Sequence, residues 1–94
     1  MFIVLLTYQK SLENVDAHLE RHREFLERNY AEGTFLLSGR KEPREGGFIL
    51  ARCPSLQELK EVLSQDPFNI HGIATYSITE VIPSKSSREL ASLV

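Results

Sequence analysis

Apolar residues in this chain change their spacing from strand-like to helical and back in one definite order, and that order leaves few folds open. Residues 2–8, Phe2 through Tyr8, form a continuous apolar run of the kind that makes a central strand. A polar stretch, residues 9–14, follows; Asn14 is suited to cap a helix, with Asp16 in the first turn where the macrodipole favours an anion. Over residues 15–32, Val15, His18, Leu19, His22, Phe25, Leu26, Asn29 and Tyr30 recur on one helical face, while Asp16, Glu20, Arg23, Glu24, Glu27 and Arg28 take the other. Gly33 is placed to stop that helix in a left-handed conformation.

Residues 34–39 read as a second strand, 40–47 as a polar loop containing Pro43, Gly46 and Gly47, and 48–53 as a third strand closed by Pro54. Ser55 and Glu58 match a capping box that opens a second helix, with Leu56, Leu59, Val62 and Leu63 as its buried stripe. Asp66-Pro67 ends it, because a residue before proline avoids helical geometry. Residues 68–72 read as a turn, and 73–82 as a fourth strand in which Ala74, Tyr76, Ile78 and Ile82 alternate with Thr75, Ser77 and Thr79. The tail, residues 84–94, carries a weaker capping box at Ser86 to Glu89, the mark of a short helix able to pack on a partner subunit through Leu90, Leu93 and Val94.

The order is βαββαβ without linker, repeat or low-complexity tract, so residues 1–94 are expected to form one α+β domain: a ferredoxin-like four-stranded antiparallel sheet with both helices on one face. A chain of this length buries only about two-thirds of its unfolded surface. The uncovered sheet face is largely apolar, and a homodimer, or a higher oligomer built from it, is the expected way of closing it.

Charge narrows the functional classes. Eleven basic and 13 acidic residues are mixed along the chain for a net charge of -2, and no basic stripe is present to neutralise phosphates, so neither nucleic acid nor an anionic membrane surface is an expected partner. The first apolar run is too short to span a bilayer and lacks a basic segment before it, which makes the cytoplasm the expected location. Cys53 is the one cysteine; it cannot pair within the chain and reads as a small hydrophobe at a strand end.

The polar residues that stand out are His22 and Asp66. A histidine in the middle of a buried stripe must be hydrogen-bonded or it costs stability, and the plain reading is a satisfied core histidine. Asp66, read as the last residue of the second helix, sits where the dipole disfavours an anion; an Asx-type turn into Pro67 explains it simply, and a neighbouring imidazole explains it equally. Paired, the two would leave one ring nitrogen free as a general base or acid. His18, four residues before His22, together with His71 or Asp66 allows a metal by spacing alone, but no closed ligand set is visible, and neither metal nor cofactor is expected. Ser38 and Arg40 at the end of the second strand, Tyr8 at the end of the first, and His18 and His71 are the candidates for binding a small-molecule ligand; Arg40 would recognise an anionic group through its planar fork.

His22-Arg23-Glu24-Phe25-Leu26, then Gly33, Leu37-Ser38-Gly39, the Asp66-Pro67-Phe68 turn and Gly72 together resemble the YciI-like (YCII-related) family of small bacterial proteins over most of the chain. The resemblance implies a ferredoxin-like subunit of a dimeric α+β barrel, with the family's proposed histidine–aspartate pair falling on His22 and Asp66. It also implies chemistry of lyase or isomerase type on a small cyclic or aromatic acid, since some members are linked to loss of chloride from chlorinated aromatics and relatives of the fold include muconolactone isomerases. One departure is Arg40, where the family commonly has proline. A non-catalytic dimeric module that binds a ligand or another protein, with the pair as a tie between helices, is the competing expectation.

Overall fold

A computed structural model describes all 94 residues. Strand β1 (Phe2–Tyr8), apolar almost throughout, divides cleanly between two faces: Phe2, Val4 and Leu6 are buried and Ile3, Leu5 and Thr7 are exposed. With β2 (Phe35–Arg40), β3 (Gly46–Ala51) and β4 (Ala74–Glu80) it forms an antiparallel sheet of order β2-β3-β1-β4. The two strands adjacent in sequence lie side by side, and β1 is central, as its composition requires. Register runs from Phe2 opposite Ala51 to Thr7 opposite Gly46 on one flank, and from Phe2 opposite Glu80 to Tyr8 opposite Ala74 on the other.

The β2–β3 ladder contains a bulge. Phe35 pairs with Ala51 and Leu37 with the next residue, Leu50, so one extra residue enters β2. Side chains alternate along a strand, and an inserted residue reverses which of them face each way. Phe35 therefore points into the core, and Ser38 and Arg40, opposite Ile49 and Gly47, point to that same side, while Leu37 turns out. An unbulged strand would have sent Ser38 and Arg40 to the other face.

The helices differ from the sequence reading at three places. The first helix begins earlier and is divided into α1 (Leu12–Ala17) and α2 (Leu19–Ala31), with His18 at the junction in non-helical geometry. Ser11, not Asn14, is its cap: the Ser11 Oγ accepts the Asn14 N–H at 3.3 Å, a better fit to the first turn than a cap three residues later. Helix α3 (Leu56–Leu63) is capped by Ser55, whose Oγ accepts the Glu58 N–H at 3.1 Å as expected, but it stops three residues short of Asp66. Asp66 then caps a further turn, α4 (Pro67–Ile70), where a turn was anticipated; Pro67 takes the first helical position, at which its missing N–H costs nothing. Gly33 ends the α2 segment at φ 78°, as anticipated.

Phe2, Val4, Leu6, Phe35, Ile49 and Ala51 of the sheet meet Val15, Phe25, Leu59, Leu63 and Phe68 of the four helices in one core on one face. The opposite face exposes Ile3, Leu5 and Leu37 beside half-buried Phe48 and Leu50. A 3₁₀ helix (Arg88–Leu93) closes the chain, tied back by Arg52, which donates to the Ser92 carbonyl at 3.3 Å. No helix is long and apolar enough to cross a membrane.

Candidate active site

His22 lies on α2 and Asp66 caps α4, and packing of both helices on the same sheet face brings them together: His22 Nδ1 lies 2.8 Å from Asp66 Oδ1. A carboxylate can only accept, so Nδ1 carries the proton and Nε2 is the ring's free nitrogen. Asp66 is wholly buried, and its charge is met from three directions. Oδ1 also accepts the Phe68 N–H at 3.0 Å, which is the helix-cap bond, and Oδ2 accepts the Tyr76 hydroxyl at 2.6 Å. Such charge-assisted bonds are what make a buried carboxylate tolerable. Burial and the adjoining Asp66 charge push the Tyr76 hydroxyl well above its ordinary pKa, which keeps it a donor. The imidazole lies flat on Phe68, with ring centroids 4.0 Å apart and planes within 3°. Phe68 thus holds the ring by its face and the carboxylate by its N–H.

No buried side-chain nitrogen or oxygen lacks a partner, and the His22 ring bonds only through Nδ1, so Nε2 keeps accessible surface. His22 forms part of the wall of a cavity of about 220 Å³ between α2 and strands β1 to β3. Leu6, Leu19, Leu26, Ile49 and Phe68 make the apolar lining. Tyr8, Ser38 and Arg40 bring polar groups, the last two because of the bulge. Ser38 Oγ is held by a short hydrogen bond with the Tyr30 hydroxyl.

Four of the residues singled out in the sequence therefore meet at this cavity, and Asp66 stands behind His22 rather than at the wall. His18 and His71 do not line it. As the junction residue between α1 and α2, His18 bonds through Nδ1 to its own turn, the Asn14 carbonyl, at 3.0 Å, and its ring packs on His71 with centroids 4.5 Å apart. No three His, Cys, Asp or Glu side chains converge in a metal-holding arrangement. The dipole conflict attributed to Asp66 also disappears. An N-terminal cap is a favourable place for a carboxylate, so Asx-type capping and the histidine contact are both present in one side chain.

Two residues of the site escaped the sequence reading. Tyr76 belongs to the apolar face of the fourth strand, and a phenol on such a face needs a partner for its hydroxyl, which is the signal the sequence carries. Arg23 falls on the charged side of the helical wheel, yet it lines the cavity.

Fold and site together define a ferredoxin-like α+β domain with a buried histidine–aspartate contact at the back of a small cavity. The chain belongs to the YCII-related domain family, whose model matches residues 1–83. No curated protein matches it in sequence. Among solved structures it is similar to 5-chloro-2-hydroxyhydroquinone dehydrochlorinase (TftG) from Burkholderia phenoliruptrix, in complex with 2,5-dihydroxybenzoquinone. That likeness has a TM-score of 0.74 at 17% identity and covers 89% of this chain and 96% of the other, which establishes the shared fold.

Proposed function

We propose that this chain is a small-molecule enzyme in which His22 and Asp66 perform general acid–base chemistry of lyase or isomerase type on a small cyclic or aromatic acid. The observation that carries this reading is a histidine on a cavity wall, anchored through one nitrogen to a buried carboxylate and unbonded at the other. A cavity of about 150 Å³ already admits benzene, so about 220 Å³ suits one substituted ring. Nε2 takes a proton from a substrate carbon or oxygen, and Asp66 keeps the ring oriented and balances its charge. In an elimination, the electron pair of the broken bond moves into the substrate and expels the leaving group; with chloride as that group, the products gain a double bond and lose HCl. In an isomerisation the imidazolium returns the proton to a different carbon. Proton transfer by a placed side chain contributes about 10²–10⁴-fold. Tyr8, Ser38 and Arg40 bind the substrate, and the dehydrochlorinase activity of the similar structure supports the elimination variant. A second copy covers Ile3, Leu5 and Leu37 in a homodimer.

The test is chloride release from 5-chloro-2-hydroxyhydroquinone and from a chlorinated 2,5-dihydroxybenzoate, and deuterium uptake from heavy water into small cyclic acids, by the wild type and His22→Asn. Activity lost in a folded His22→Asn variant supports the reading; activity retained overturns it. The full burial of Asp66 with all its bonds satisfied favours a second reading, a non-catalytic module with the pair as a tie. On that reading His22→Asn costs about 1–3 kcal/mol of stability, and the wild type turns over none of these compounds.

A further inference from the structure

Overall the chain is slightly acidic, at -2, yet the mouth of the His22 cavity is cationic. The cavity opens beside a shallower recess lined by Tyr8, Asp16, Leu19, Arg23, Arg40 and Arg44; Tyr8, Leu19, Arg23 and Arg40 belong to both. Three arginines thus line one recess with a single carboxylate among them. That carboxylate is already taken: Arg44 donates to Asp16 Oδ1, and the bond raises the Arg44 pKa further. Arg40 has only a 3.4 Å contact with Glu42, both side chains largely in water, an arrangement that exchanges readily. Arg23 makes no ion pair at all.

Like charges gathered at a cleft repel one another and raise the local concentration of anions. They are also held there by separate devices. Arg23 follows His22 directly on α2, so the helix fixes its place relative to the imidazole, and Arg40 reaches the same side because of the bulge in β2. We propose that Arg23 and Arg40 form an anion subsite at the cavity mouth that takes the carboxylate of the substrate and selects for it. The inference rests on the reading of the cavity as the substrate site. It assigns the polarity of the ligand: apolar ring inward against Leu26 and Phe68, carboxylate outward between two guanidinium forks, and the reacting atom between them beside His22. Arg44 is left out because Asp16 neutralises it.

The experiment is an NMR titration of the full chain with benzoate and, separately, with methyl benzoate, for the wild type, Arg23→Gln, Arg40→Gln and His22→Asn. Benzoate is expected to shift resonances of the cavity lining and bind more tightly than the ester. Each arginine variant should weaken benzoate about tenfold, the loss of one charged hydrogen bond, and leave the ester unchanged. Benzoate affinity should fall with added salt. His22→Asn is expected to keep benzoate binding. If it keeps turnover as well, the acid–base reading fails and the subsite stands. If benzoate does not bind the wild type saturably, binds no better than the ester, or binds the arginine variants as well as the wild type, the subsite is overturned.

Discussion

Tyr76→Phe removes one oxygen atom and leaves the ring that packs beneath the helices. What it exposes is Asp66: Oδ2 has the Tyr76 hydroxyl at 2.6 Å as its partner, and no part of the residue reaches solvent. A hydrogen bond to a charged group contributes about 1.5–3 kcal/mol, and an orphaned buried acceptor costs a similar amount. Taking about 2 kcal/mol, and about 4–8 °C per kcal/mol for a domain of this size, Tm should fall by about 8–16 °C. The pH dependence carries a sign that checks the cause. Burial and Asp66 raise the folded-state pKa of Tyr76 above the ordinary 10.0 of the unfolded chain, so the folded state holds that proton more tightly. Its contribution is present in full below the unfolded value and is lost as pH climbs above it toward the raised folded value. The gap between wild type and Tyr76→Phe should therefore be widest near neutrality and narrow by about pH 11. Urea unfolding followed by circular dichroism at the two pH values measures both effects. A neutral-pH gap under about 0.5 kcal/mol, the range of ordinary surface substitutions, or a gap indifferent to pH, would refute the reasoning.

Two further outcomes concern the scaffold. Gly46→Ala should cost more than about 3 kcal/mol or prevent folding, because a Cβ there would lie 1.8 Å from the Leu6 carbonyl oxygen, and that contact is with backbone rather than a movable side chain; soluble yield and circular dichroism report it. Leu5→Lys combined with Leu37→Lys, both on the uncovered sheet face, should give a folded monomer in analytical ultracentrifugation, against the dimer that the proposed homodimer predicts for the wild type; equal sedimentation would remove that face as the interface.

Local periodicity was enough for the element order, for the capping of α3 by Ser55 and for the stop at Gly33, because each depends on residues within a turn or two. The same locality explains the errors. Ser11 and Asn14 compete for one cap, and only the path of the chain out of β1 settles which of them takes it. For Asp66 the reason the sequence offered does not hold: α3 ends earlier than the proline suggested, and the carboxylate begins a helix instead of closing one. His18 and His71 were candidates for the ligand site, and nothing in their spacing said that they would pack on each other.

By itself, then, the amino-acid sequence determined that strands and helices follow one another as βαββαβ and that one sheet carries the helices, since hydrophobic spacing is a property of neighbouring residues. Tertiary structure alone decided which polar groups come together. His22 and Asp66 meet across 44 positions of chain. Tyr76 joins them from an edge strand, and Arg23 reaches around from the charged side of its helix. A single extra residue in β2, invisible in the run Phe35-Leu36-Leu37, turns Ser38 and Arg40 inward. Register and helix packing are settled by burying the whole core at once, and no short window of residues contains that balance.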